Sequence, residues 1–123
     1  GIRIEQHIDI QEDEVPDPLK TIIYRVMQEA LSNIAKHSGA DLVRLSLRRA
    51  DGVIELAIED NGLGFDLEGV LSVESSKRGI GVSSMKERIE LSDGSFAIES
   101  AIGAGTIIRA SWRERPSIED GSL

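Results

Sequence analysis

Five polar side chains fall at helical spacing: Arg25, Glu29, Asn33, Lys36 and His37. Steps of three and four residues put them on one stripe, with neighbours about 6 Å apart along the axis. Glu29 and Asn33 can present two oxygens to one hard cation. Lys36 and His37 can meet anionic oxygens one turn later. Taken alone, such a stripe is usually the solvated face of an amphipathic helix, so its meaning depends on the rest of the chain.

Asp60 is the second group of interest. It continues the inward parity of Ile54, Leu56 and Ile58. A carboxylate at the core-facing end of a strand is costly unless something donates hydrogen bonds to it. Asn61-Gly62-Leu63-Gly64 follows, and its glycines permit tight turns and close approach of a flat or charged ligand. Gly79-Ile80-Gly81 opens a second helical pattern, where free N–H groups at a helix start would favour an anion. Gly103-Ala104-Gly105-Thr106 makes a further glycine turn.

These groups need elements to hold them. Leu19, Ile22, Ile23, Val26, Met27, Ala30, Leu31 and Ile34 recur at helical spacing, so Pro18–Gly39 is expected to be a helix with one face in a core. Asp17 is placed as its N-cap, Pro18 in its first turn and Gly39 as its stop. Before it, Ile2, Ile4, Ile8 and Ile10 alternate with Arg3, Glu5, His7 and Asp9, which predicts a strand with one buried face. Leu42–Ala50 and Val53–Asp60 alternate likewise and flank Asp51-Gly52, a two-residue hairpin signal. Residues 66–78 show no clear period, and a loop of that length is usually functional or mobile. The second helix then buries Val82, Met85 and Ile89. Strands over 95–101 and 106–112 close the chain, with Phe96 and Ile98 on one face. The order β-α-β-β-loop-α-β-β predicts an α+β fold: a two-layer sandwich of a mixed sheet with helices on one face. One domain is expected over residues 1–113, with 114–123 a polar, frayed tail.

Composition limits the function. The 123 residues carry a net charge of −8, and a general binder of phosphate backbones should be basic, so nucleic acid is not an expected partner. An acidic nucleotide binder must gather positive charge locally, and Lys36, His37, Lys77 and Arg78 lie where this can happen. The chain has no cysteine, which excludes disulfides and cysteine-ligated zinc and permits a reducing compartment. No apolar run approaches membrane-spanning length, so no direct membrane contact is expected. The abrupt start in a strand pattern reads as a piece of a longer protein.

In chain order the sequence therefore presents Glu29-x-x-x-Asn33 with Lys36-His37, Asp60-Asn61-Gly62-x-Gly64, Gly79-x-Gly81, and Gly103-x-Gly105-Thr106. Together these resemble the ATP-binding domain shared by gyrase, the heat-shock-90 chaperone, bacterial sensor histidine kinases and the MutL mismatch-repair protein, the GHKL or Bergerat fold. The runs YRVMQEALSNIAKHSGAD and RGIGVSSMKERIE look like the catalytic domain of nitrate-sensor-type histidine kinases. The resemblance spans residues 2–112.

That resemblance implies roles. Asn33 would hold Mg²⁺ bridging the phosphates of ATP, and Glu29 would orient metal-bound water. Lys36 and His37 would approach phosphate oxygens. Asp60 would accept the adenine exocyclic N–H, and Gly62 and Gly64 would let the backbone lie against the purine. Residues 66–78 would form the ATP lid, with Arg78, Gly79, Ile80 and Gly81 at the phosphates. Gly105 and Thr106 would close the adenine side. The phosphoryl acceptor would be a histidine on a separate dimerisation domain that this chain lacks, with a response regulator downstream. The isolated domain would then be monomeric, cytoplasmic and unable to phosphorylate itself, while its parent protein could be membrane-anchored. Two features depart from the pattern: Asp93 stands in LSDGS where relatives commonly carry glycine, and the lid is short. Two other functions on this fold remain open from the residues: an ATP hydrolase of the gyrase or chaperone class, with Glu29 as general base, and a serine kinase regulator of the anti-sigma type.

Overall fold

Asp51 and Gly52 both adopt positive φ, 53° and 75°. That pair of left-handed residues is what a tight two-residue hairpin needs to match strand twist. The computed structural model describes residues 1–64 and 76–114, with side chains in the second helix from Val82 onward. The hairpin joins strand β2 (Leu42–Ala50) to strand β3 (Val53–Asp60), antiparallel, with Leu45 opposite Ile58 and Val43 opposite Asp60.

Strand β1 (Arg3–Asp9) lies parallel to β2, while β4 (Ser95–Ser100) and β5 (Thr106–Arg113) complete a five-stranded mixed sheet in the order β1-β2-β3-β5-β4. Helix α1 (Asp17–Asn33) and helix α2 (Ser76–Leu91) pack against each other. Val43, Leu45, Leu47, Ile54, Leu56, Ile58, Ile108, Ala110 and Trp112 of the sheet bury with Ile23, Val26 and Ala30 of α1 and Val82, Met85 and Ile89 of α2. The expected two-layer fold with helices on one face is therefore present. Among the described residues no helix is long and apolar enough to cross a membrane.

The helix boundaries differ from the sequence reading. Asp17 is the first helical residue and Pro16 the N-cap, so Asp17 contributes its charge to the first turn and pairs with Lys20 at 3.2 Å. At the other end α1 stops at Asn33, and Ile34–Ser38 forms a wider π turn before Gly39 at φ 67°. The Ser38 Oγ donates to the Ile34 carbonyl at 2.8 Å and accepts from the Ala40 N–H at 3.0 Å, which holds that turn closed. Lys36 and His37 therefore sit on the π turn, and the stripe begun by Arg25, Glu29 and Asn33 does not continue at α-helical spacing. Helix α2 begins at Ser76, so Gly79 and Gly81 lie within it rather than opening it.

The edge strand also departs from expectation. β1 forms where the alternation placed it, but its apolar face is uncovered: Ile4 is 45% and Ile8 52% exposed. The helices cover the middle of the sheet, and only Ile10, just past the strand, packs on the core. At the chain's other end Arg113 belongs to β5. The Glu114 N–H donates to the Gly52 carbonyl at 2.7 Å, and Arg49 bridges Glu114 (2.9 Å) and Glu14 (2.8 Å). The tail beyond Glu114 lies outside the described residues. Two residues past the end of helix α2, Asp93 lies in the left-handed region, φ 63°. Directly after it, a Cβ on Gly94 would meet Trp112 Nε1 at 2.5 Å. That close approach lets Trp112 Nε1 donate to Ser92 Oγ at 2.8 Å.

Candidate functional site

Asp60 ends β3 on the helix side, as its parity requires, and is 6% exposed. The Gly62 N–H donates to its Oδ1 at 2.8 Å, a turn in which the side chain takes the place of a backbone acceptor. Burial pushes the carboxyl above the usual aspartate range; the Gly62 hydrogen bond opposes this, and the Glu59 charge adds a smaller upward push. Among the described residues no arginine or lysine pairs with it. An acid held this dry without a cation is poised to accept a hydrogen bond from a ligand.

Thr106 begins β5 directly opposite Asp60 and is 8% exposed. Its Oγ1 lies 2.8 Å from Ser100 Oγ, which also bonds the Gly105 carbonyl at 3.1 Å. Gly105, at φ 74°, lies so close to Asp60 that a Cβ would come 2.2 Å from the Asp60 carbonyl oxygen. Gly64, at φ 67°, is equally confined: its Cβ would fall 2.1 Å from the Ala101 carbonyl oxygen. Only glycine fits at these two places.

The loop after Asp60 is stitched on both sides. Leu63 N–H donates to the Ser38 carbonyl at 2.7 Å, and Gly103 N–H donates to the Leu63 carbonyl. Asn61 Oδ1 accepts from the N–H groups of Asp41 and Leu42, both at 3.1 Å, while its Nδ2 donates to Asp41 Oδ1 at 2.7 Å. The π turn after α1, the end of β3 and the β4–β5 turn thus converge around Asp60. Glu29 and Asn33 are half-buried on α1, and Lys36 and His37 are exposed on the π turn.

This arrangement sets a dry acceptor beside glycine-walled backbone, with two oxygen-bearing side chains on the adjoining helix. A model of the family described as "Histidine kinase-, DNA gyrase B-, and HSP90-like ATPase" matches residues 19–116. The chain belongs to that family.

As an ATPase-family domain it is similar to curated sensor kinases. It is 33% identical over 108 residues to the oxygen sensor histidine kinase NreB of Staphylococcus carnosus, covering 88% of this chain and 30% of that protein. It is 41% identical over 90 residues to the sensor histidine kinase YhcY of Bacillus subtilis, covering 73% and 23%. The chain thus spans less than a third of these relatives. In fold it resembles the histidine kinase domain of the Erythrobacter litoralis EL346 blue-light activated kinase, with TM-score 0.71 at 18% identity, covering 91% of this chain and 51% of that one. It also resembles the mycobacterial sensor histidine kinase MprB, with TM-score 0.65 at 23% identity, covering 94% and 83%. The family match thus makes this an ATPase-type domain, and the solved structures share its fold.

Within this ATPase domain the fold brings Asp60, Gly62, Gly64, Gly105 and Thr106 together at one end of the β3–β5 pair. Gly79 and Gly81 lie in α2, while the side chains of Arg78 and Ile80 and residues 66–75 of the expected lid lie outside the described residues. Sequence reasoning gave no role to Ser38, Asn61 or Ser100, which hold the loop and Thr106 in place. The Asp-Asn-Gly run was a readable turn signal for Asn61. Ser38 and Ser100 carried none, because their partners are brought in by the fold.

Proposed function

We propose that this domain binds ATP with Mg²⁺ and presents the γ-phosphate to a histidine on a separate helical domain of a sensor kinase, from which a response regulator takes it. Asp60, buried and with no cation paired to it among the described residues, carries this reading. An adenine amino group donating to its carboxylate would add to the single Gly62 N–H in offsetting the desolvation. The close approaches of Ser38 to Gly62 and of Ala101 to Gly64 fix the backbone that would lie against the purine, and Gly105 and Thr106 would bound its other side.

Asn33 and Glu29 fit a magnesium site, since both bring hard oxygen donors from one flank of α1 at a spacing of one turn. A bound Mg²⁺ would neutralise charge on the phosphates. Asn33 would ligate it and Glu29 would orient its water. Lys36 and His37, with Arg78, Gly79, Ile80 and Gly81 across the site, would meet phosphate oxygens. Such transfer needs mainly positioning and charge stabilisation. His7 and His37, both exposed, match no acceptor motif, so no phosphohistidine is expected on this chain alone. A domain drawing on ATP in this way would work in the cytoplasm.

A titration with ATP and with inosine triphosphate tests the reading. The inosine base carries a carbonyl where adenine carries its amino group, and would set an acceptor against the Asp60 acceptor. Inosine triphosphate should bind at least about tenfold more weakly. Equal affinities would remove the purine from Asp60. Steady ATP hydrolysis without an acceptor, lost in Glu29→Ala, would replace the kinase reading with a hydrolase.

A further inference from the structure

β1 is an edge strand, and among the described residues nothing pairs with its outer side. Arg3 N–H donates to the Asp41 carbonyl at 2.8 Å. Backbone groups alternate sides along a strand, so those of Arg3, Glu5, His7 and Asp9 face β2. Those of Ile4, Gln6 and Ile8 face the open edge. The side chains of Ile4 and Ile8 share the helix-side face with Val43 and Leu47 and are about half exposed.

We infer that β1 pairs antiparallel with β1 of a second copy of this chain about a two-fold axis at Gln6, joining two sheets into one. The strand is complementary to its own reversal. With Gln6 opposite Gln6, the register sets Ile4 against Ile8, Arg3 against Asp9 and Glu5 against His7 of the other copy. Arg3 and Asp9 differ in charge sign, and the apolar residues meet each other. The backbone parity agrees independently. Ile4, Gln6 and Ile8, whose N–H and C=O groups face outward, become the hydrogen-bonded pairs, with two bonds at each of the three positions. Arg3–Asp9 and Glu5–His7 become the non-hydrogen-bonded pairs, whose side chains approach more closely. A shift of one residue would aim the open backbone groups past each other.

A two-fold axis makes each contact occur twice, as a closed dimer requires. Pairing also removes an exposed edge that a lone domain would leave as a template for aggregation. The other edge, β4, has no such symmetry, since its sequence SFAIES holds a lone charge at Glu99. The pairing makes the isolated chain a dimer, against the monomer expected from the family resemblance.

Analytical ultracentrifugation of the 123-residue chain tests this, with circular dichroism to check that each variant folds. The wild type should pass from 13.4 kDa toward twice that mass as concentration rises. Arg3→Asp alone, or Asp9→Arg alone, sets like charges opposite each other twice per dimer and should weaken association about tenfold. The double variant Arg3→Asp/Asp9→Arg restores opposite charges and should recover wild-type association. Gln6→Pro removes an outward N–H without touching the β2 ladder and should give a monomer. A chain that stays monomeric up to its solubility limit overturns the inference. So does a dimer indifferent to the single reversals, or one that the double variant fails to recover.

Discussion

Asp60 and Thr106 face each other across the β3–β5 ladder, and among the described residues they are the two buried polar side chains. Thr106 has its partner within the protein, 2.8 Å away at Ser100. Asp60 has one N–H, from Gly62, for a group that carries a full charge when ionised. The imbalance between these neighbours supports the proposal that a ligand's donor meets the aspartate.

Asp60→Asn should therefore weaken ATP binding by more than tenfold, since a charge-assisted hydrogen bond contributes about 1.5–3 kcal/mol. The fold should survive, because the asparagine oxygen can still accept from Gly62. Titration calorimetry with ATP checks this, and unchanged affinity would detach Asp60 from the base.

The same substitution should stabilise the ligand-free domain at neutral pH. Burial raises the Asp60 pKa in the folded state, so between its unfolded and folded values the folded protein holds the extra proton. Stability contributed by this group is present below the unfolded pKa and falls as pH rises through the folded one. Asp60→Asn should then melt above wild type at neutral pH, and the gap should close as pH drops to the ordinary aspartate value. A constant gap across that range would show that ionisation is not its origin.

Asn33→Ala should abolish the magnesium dependence of ATP binding while leaving the melting temperature near wild type. ATP titrations with and without Mg²⁺ read this out. Magnesium that still tightens binding in the variant would place the metal elsewhere.

Gly62→Ala tests the stitched loop. A Cβ there would sit 2.3 Å from the Ser38 carbonyl oxygen and 2.9 Å from Asp60 Oδ1. The backbone must shift, at a cost of about 2 kcal/mol or more. Gly103→Ala makes the control: nothing lies within 4 Å of its Cβ, and only the strain of φ 85° remains, about 1 kcal/mol. Urea melts of the two variants should rank them in that order.

Much of the arrangement around the candidate site was legible in the sequence. Asp60 announced itself by standing on the inward parity of Ile54, Leu56 and Ile58, and Asp51-Gly52 announced the hairpin that sets that parity. The glycines at 62, 64 and 105 were visible as a pattern, but the reason for each was not. Gly105 is required by the Asp60 carbonyl and Gly64 by Ala101, contacts between residues some forty positions apart. Helix ends were the weakest part of the reading: a π turn held by Ser38 replaced the last α-helical turn, and α2 began ahead of its glycines.

Alternation and helical spacing are local properties, so the sequence alone determined which elements form and which side of each is apolar. It also settled that a carboxylate would be aimed inward at the end of β3. Whether an apolar side is covered is decided by where the helices cross the sheet, which depends on strand order and packing. That is why Ile54 is buried in the middle of the sheet, while Ile4 and Ile8, written in the same alternation, stand exposed at its edge.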